Sequence, residues 1–228
     1  MRVRGVDGCR GGWVSADVSA TGTGVDDVAW RWWPLAETCA LLSDESVAVV
    51  AIDVPIGLPD SGARACDREA RVLLRRRGVS VFPAPSRSVL AASSYAEARA
   101  ILAARGGPSM SAQAFGIVRA VAAVDACLPP GDVVDERIYE CHPEVAFVLM
   151  SGGPGLPGKR TAEGAAARRA LLARVWPALG ELPPRVPEND ALDALACAWS
   201  ALRIARGEHR TLGDGTRDER GLPMRIVA

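Results

Sequence analysis

Four acidic residues in this sequence have surroundings typical of catalytic carboxylates. Asp7 is followed by a glycine-rich turn at 8–12, which leaves room for a ligand close to the backbone. Asp53 is the charged residue that ends an otherwise apolar run, and Asp190 and Asp193 are three residues apart, so they project from one helical face. A buried carboxylate is costly unless it is paired or binds metal, and Mg²⁺ or Mn²⁺ prefers such oxygen ligands. These acids therefore predict a divalent-metal site, with turn formation and helix capping as the structural alternatives.

A second group of residues has the chemistry to bind or protonate a substrate. Glu140 and His142 alternate at the predicted strand 137–141 and so face one side, which makes Glu140 a candidate ligand or acid. His142 is a candidate base or phosphate donor, or else a structural histidine. Lys159 and Arg160 precede a predicted helix whose N-terminus favours anions, so they are candidate phosphate contacts, with a solvated loop as the alternative.

Arginines concentrate between residues 64 and 87. The segment has seven arginines and two acids, a local formal charge of +5 in a chain whose formal net charge is zero. Four of the arginines, spaced by four, three and four residues, share one face of a predicted helix: Arg64, Arg68, Arg71 and Arg75. The prolines of 82–86 are expected to hold Arg87 towards the site. The pattern predicts substrate contacts to phosphates by Arg64, Arg71 and Arg87, with a solvated charged face as the alternative.

The loop 153–160 favours a competing interpretation as a phosphate-binding loop. It fits the spacing GxxxxGK, but Arg160 stands where such a loop needs Ser or Thr to hold Mg²⁺. Pro154 and Pro157 also remove backbone amides that would cradle phosphate. A nucleotide-hydrolysing ATPase is therefore the weaker hypothesis.

The elements that must position these residues form a mixed sheet flanked by helices. Period-two alternation at 2–7, 13–18 and 28–33 predicts an antiparallel three-strand meander. The apolar, β-branched run 47–53 predicts a central strand covered on both faces, and 137–141 predicts a later strand. Helices are predicted at 35–42, 64–77, 94–105, 111–128, 143–150, 161–175 and 188–206. The fold class is therefore α/β, with residues 60–130 as a helical insertion.

Composition excludes several other classes of protein. The chain has 228 residues, 49% of them hydrophobic and 24% charged, with a mean hydropathy of +0.10, which predicts one globular domain over 1–228. No apolar run approaches the ~18 residues of a membrane span, and no signal-peptide pattern begins the chain. We therefore expect a cytoplasmic protein without a membrane partner. The cysteines form no CxxC pair, which argues against a structural zinc site.

Taken in order along the chain, these residues resemble a family of predicted nucleases with an RNase H-like fold, the domain of unknown function 429. The matching stretches are Gly5-Val6-Asp7-Gly8-Cys9 with Gly12-Trp13; Ile52 to Pro59; Arg64 with Cys66-Asp67 and Arg71; Phe82-Pro83-Ala84-Pro85 with Arg87; Ser111 with Gln113; Glu140 with His142-Pro143-Glu144; Lys159 with Thr161, Gly164 and Arg168; and Asp190-Ala191 with Asp193-Ala194. The resemblance implies an RNase H-like mixed sheet and, less directly, nuclease activity. Asn189 stands where the family often has an acid, so the helix ligands are carried over only to Asp190 and Asp193.

Together these observations predict a nuclease that hydrolyses phosphodiester bonds by a two-metal, carboxylate-based mechanism. Its catalytic metal ligands are Asp7, Asp53, Asp190 and Asp193, and Glu140 is an additional catalytic candidate. Nucleic acid is the expected partner, and Mg²⁺ or Mn²⁺ the cofactor. A non-catalytic nucleic-acid-binding module of the same fold is the alternative. The sequence does not distinguish DNA, RNA or a small nucleotide as substrate, nor a monomer from a homodimer.

Overall fold

The computed structural model of the chain describes residues 1–21, 24–129, 136–153, 156–177, 179, 181–184 and 186–228. These residues divide into two compact units. The first unit comprises Met1–Asp53, Glu136–Arg210 and Val227–Ala228, and the second comprises Val54–Asp135 and Thr211–Ile226. The predicted helical insertion, 60–130, lies within the second unit. None of the described helices is long and apolar enough to cross a membrane.

The regular elements agree with most of the predicted segments. The strands are β1 (Arg2–Cys9), β2 (Gly12–Thr21), β3 (Gly24–Pro34), β4 (Val49–Ile52), β5 (Ile138–Glu140), β6 (Thr211–Leu212) and β7 (Ile226–Val227). The α-helices are α1 (Thr38–Leu42), α2 (Ala65–Leu74), α3 (Tyr95–Ala104), α4 (Ala112–Gly116), α5 (Val118–Cys127), α6 (Pro143–Ser151), α7 (Ala162–Leu172) and α8 (Glu188–Arg206). The single helix predicted at 111–128 is two helices, α4 and α5, and the break follows Gly116, a residue of low helix propensity.

The first unit is built on a five-stranded mixed sheet in the order β3-β2-β1-β4-β5. β1, β2 and β3 form the antiparallel meander, whereas β4 pairs in parallel with β1 and β5 in parallel with β4. All four residues of β4 are buried, as expected for a strand covered on both faces. The sheet and its flanking helices confirm the predicted α/β class, a mixed sheet with an antiparallel three-strand meander and parallel strands.

The long helix α8 lies on one face of this sheet, against β1, β2 and β4. Gly5 is the point of closest approach: a Cβ atom there would lie 2.0 Å from the carbonyl oxygen of Ala194 and 2.1 Å from the amide nitrogen of Ala198. A residue with a side chain would therefore displace the helix backbone. Because Asp193 precedes Ala194 and Asp7 follows Gly5 by two residues, this packing sets an acidic residue of the helix beside one of the strand.

Candidate active site

Asp7 and Asp53 come together at the ends of two neighbouring parallel strands. Val6 pairs with Ile52 in the β1–β4 register, and the amide of Asp53 donates to the carbonyl of Val6 at 3.0 Å. Asp7 is 7% exposed and Asp53 is partly buried, and burial raises the pKa of both carboxyl groups. The charge of Asp53 raises the pKa of Asp7 further, because two neighbouring carboxylates repel each other. Strand register therefore produces a carboxyl pair that resists full ionisation.

Asp190 and Asp193 bring two further acids to this pair from α8. Asp193 is 2% exposed, and Asp190 lies in the first turn of the helix. Burial raises the pKa of Asp7 well above its usual value, and the charges of Asp53, Asp193 and Asp190 raise it further. The four residues, here called the acidic cluster, are thus close enough to repel one another electrically. Within the described residues, no three His, Cys, Asp or Glu side chains are arranged as a ready-made metal site.

Lys159 supplies positive charge to the acidic cluster. Its Nζ donates to Oδ2 of Asp193 at 2.7 Å. Burial alone would lower the pKa of Lys159, but the charges of Asp193, Asp7 and Asp53 raise it overall. Burial raises the pKa of Asp193 to about 6 even though Lys159 opposes that shift. At neutral pH the site therefore contains an ammonium bonded to an ionised, buried carboxylate.

The loop before α7 is held so that Lys159 reaches this position. The carbonyl of Gly158 accepts hydrogen bonds from the amide and Oγ1 of Thr161, at 2.9 and 2.8 Å. Thr161 Oγ1 in turn accepts from the amide of Gly164 at 3.0 Å, capping the helix. A Cβ at Gly164 would lie 2.0 Å from the carbonyl oxygen of Gly158, so only glycine allows this close packing.

A buried ion pair fixes the other side of the same loop. Arg168, which is 1% exposed, donates through Nη2 to both carboxylate oxygens of Glu144, at 2.8 and 2.9 Å. Its Nη1 donates to the carbonyl of Pro157 at 3.0 Å and to that of Gly164 at 2.9 Å. In the sequence, Glu144 and Arg168 stand out only as members of the family's matching stretches. The pairing joins α6 to α7, and no local pattern reports a contact between two helices.

Glu140 lies on the other face of the sheet from α8. In the β4–β5 register Glu140 pairs with Ile52, which itself pairs with Val6, so these side chains share one face. The next residue, Cys141, faces α8, where its Sγ donates to Oγ of Ser200 at 3.3 Å. The strand register therefore places Glu140 on the sheet face opposite α8, where it is buried at 5% exposure.

His142, two residues further on, lies near Asp53. Burial raises the pKa of Asp53, and the charge of His142 acts against that rise. The Nδ1 atom of His142 is buried and has no hydrogen-bond partner among the described residues. A buried polar atom without a partner is costly, so a ligand at this position would satisfy it.

Comparison with known proteins places the chain in a family. Residues 5–217 match the family model described as "Protein of unknown function (DUF429)". The chain belongs to the DUF429 family. No curated protein matches it.

Two solved structures are similar to this DUF429 chain at low identity. The Thermus thermophilus RuvC structure is 12% identical, with a TM-score of 0.37, and the match covers 91% of this chain and 98% of that chain. T. thermophilus RuvC in complex with a Holliday junction substrate is 16% identical, with a TM-score of 0.36 and the same coverage.

In the second unit of the DUF429 chain, three predicted substrate-binding arginines are engaged within the protein. Arg64 is 3% exposed, and its guanidinium donates to the carboxylate of Asp67 and to two backbone carbonyls. Arg71 donates to the carbonyl of Val81 at 3.1 and 2.8 Å. Arg87 pairs with three acids of the same unit: Asp125, Asp218 and Glu219.

The predicted arginine stripe is therefore divided between interior and surface. Arg64 precedes α2 and is buried, whereas Arg68, Arg71 and Arg75 are exposed. Arg75 has a positive φ of 51°, so the regular α-helix ends at Leu74 and does not continue to Arg77 as predicted. The predicted helical face is therefore interrupted at both ends. Arg64 is buried before the helix begins, and Arg75 follows the last helical residue.

The donor chemistry of the acidic cluster fits a hard divalent cation. Asp7 and Asp53 offer carboxylate oxygens, the ligands that Mg²⁺ and Mn²⁺ prefer, and the pKa of each group is raised by burial. A cation bound there would favour the ionised form of both groups and offset the repulsion between them. Asp193 differs, because Lys159 already bonds to it.

Proposed function

We propose that this DUF429 chain is a divalent-metal-dependent hydrolase of phosphodiester bonds in nucleic acid. The observation that carries the proposal is the Asp7–Asp53 carboxyl pair at the ends of β1 and β4, faced by Asp193 from α8. Asparagine would fit such positions without the cost of burying charge. Acids with strongly shifted pKa values gather at functional sites more often than elsewhere.

In this proposal, Asp7 and Asp53 hold Mg²⁺ or Mn²⁺, and Asp190 and Asp193 complete the negative field around it. The bound ion supplies a Lewis acid for a phosphoryl oxygen and lowers the pKa of bound water. His142 is proposed to contact the substrate, since its buried Nδ1 has no partner in the described part of the chain. Arg68 and Arg75, which are exposed, are proposed to contact phosphates of nucleic acid.

The ATPase hypothesis receives less support from the same region. A phosphate-binding loop of that class follows a β-strand and leads into a helix. Here the loop that carries Lys159 joins two helices, α6 and α7. Pro154, one of the residues on which the sequence argument depended, lies outside the described residues.

The proposal is tested by assaying the purified chain on labelled DNA, RNA, hybrid and branched substrates, with Mg²⁺, with Mn²⁺ and with EDTA. We expect cleavage only with the metals, and we expect Asp7→Asn and Asp53→Asn each to abolish it, because each removes a charged ligand. Glu163→Gln is the matched control, since it neutralises an exposed acid at the start of α7.

Three outcomes would contradict the proposal. Cleavage in EDTA, or cleavage that survives both aspartate substitutions, would exclude the carboxylate-metal mechanism. Tight binding of every substrate without cleavage of any would favour the non-catalytic module. Hydrolysis of ATP that is lost in Lys159→Met would favour the phosphate-binding loop.

A further inference from the structure

The acidic cluster already contains one cation, supplied by the chain itself. Nζ of Lys159 lies 2.7 Å from Oδ2 of Asp193, a carboxylate whose side chain is only 4% exposed. The Lys159 side chain is 43% exposed, so it could extend into water instead. Lys159 therefore bonds to the buried Asp193 because of the negative charge of the site and the position of the loop, although water is also within its reach.

Hydrogen bonds hold the two residues that precede Lys159. Gly158 is fixed by two hydrogen bonds from Thr161, and Pro157 by one from Arg168. Arg168 is itself held by both oxygens of Glu144, in a pair that is 1% and 4% exposed. Burying such a pair costs several kcal/mol of desolvation per ion, so it is weak as a source of stability. Its clear structural effect is to fix the backbone next to Lys159.

An ammonium at this position opposes the binding of a second metal ion at Oδ2 of Asp193. It occupies hydrogen-bonding space at the carboxylate oxygen that such an ion would need, and it would repel an ion bound close by. Lys159 also acts on Asp7 and Asp53 through its charge, but in the described part of the chain its hydrogen bond goes to Asp193.

We propose that Lys159 takes the place of one of the two metal ions, so that the site binds a single divalent cation at Asp7 and Asp53. The inference rests on the proposed nuclease function and changes its mechanism. Two positive charges remain available to the two sides of a phosphodiester, one from the metal ion and one from the ammonium. Glu144 and Arg168 are positioning residues, because they act through the loop that carries Lys159.

The test counts Mn²⁺ ions bound to the full chain by calorimetry and by electron paramagnetic resonance. We expect one ion for the wild type and for Lys159→Arg, which keeps the charge. Lys159→Met should bind two, because Asp193 becomes available, and the paired ions should broaden each other's resonance. Arg160→Met, which removes the neighbouring cation, should still bind one. Asp193→Asn should keep the first ion, since that ion is held by Asp7 and Asp53.

The activity of Lys159→Met provides a second readout. We expect cleavage to be lost at Mn²⁺ concentrations that fill one site, and to return at concentrations that fill the second. Two ions bound to the wild type together with metal-dependent cleavage would overturn the role of Lys159 and leave the proposed function standing. Loss of the ion in Asp193→Asn, or a single ion in a folded Lys159→Met chain, would also overturn it. No bound ion and no cleavage would overturn the proposed function itself.

Discussion

Replacing Asp193 by asparagine should stabilise the first unit at neutral pH when no divalent cation is present. Burial raises the pKa of Asp193 from 3.8 to about 6, although Lys159 acts in the opposite direction. The folded chain therefore binds a proton that the unfolded chain has released, and the free energy of unfolding falls as the pH rises between these values. A difference of about two pKa units corresponds to roughly 3 kcal/mol.

The asparagine variant has no proton to lose at this position. Its free energy of unfolding should therefore lack the fall with rising pH that Asp193 causes in the wild type. The difference between variant and wild type should be near zero at pH 4 and reach roughly 3 kcal/mol in favour of the variant by pH 7. Removing the acid does not strand Lys159, whose side chain is 43% exposed and can turn to water.

Urea unfolding followed by tryptophan fluorescence measures the stability difference between Asp193→Asn and the wild type in the first unit. All six tryptophans belong to the first unit, so their emission reports its unfolding and not that of the second. The measurements are made with EDTA at several values between pH 4 and 8, and Glu163→Gln serves as the control for removal of an exposed acid. A stability difference that does not change with pH, or a variant less stable at pH 7, would refute the electrostatic reasoning.

Three further predictions concern the packing of α8, the buried ion pair and the exposed arginines. Gly5→Ala should lower the free energy of unfolding by about 3 kcal/mol or more, because its Cβ would overlap the backbone of α8; an unchanged urea midpoint would contradict this. Arg168→Leu should lower the free energy of unfolding by about 3–5 kcal/mol, because it leaves Glu144 buried without its partner. Adding Glu144→Leu should recover part of that loss. Equal instability of the single and double variants would contradict the pairing argument. Replacing Arg68 and Arg75 by Gln should weaken nucleic-acid binding for all sequences alike and reduce its salt slope by roughly one unit for each phosphate that is no longer neutralised; an unchanged slope would make these arginines ordinary surface residues.

Local sequence patterns determined the sheet and two of its acids. Side chains alternate between the two faces of a strand, so the alternating residues of the meander predict its strands. The continuous apolar run of β4 predicts a strand buried on both faces. Both patterns can be read from neighbouring residues alone. Asp7 and Asp53 are conspicuous for the same reason, since each interrupts such a pattern at a strand end. Their positions along the chain, together with the motifs of the family, were enough to select them as candidates.

Only the tertiary structure decided which charges meet. Glu140 has the residue type of a ligand, but strand register turns it to the face opposite α8, and one residue of alternation makes that difference. Arg64 and Arg87 have the charge of substrate contacts, yet their guanidinium groups are engaged by acids of the second unit. Lys159 and Asp193 are 34 residues apart and become partners through a loop held by Glu144 and Arg168. Charge acts through space, so its partners are set by packing between elements, and no periodicity within one element contains that information.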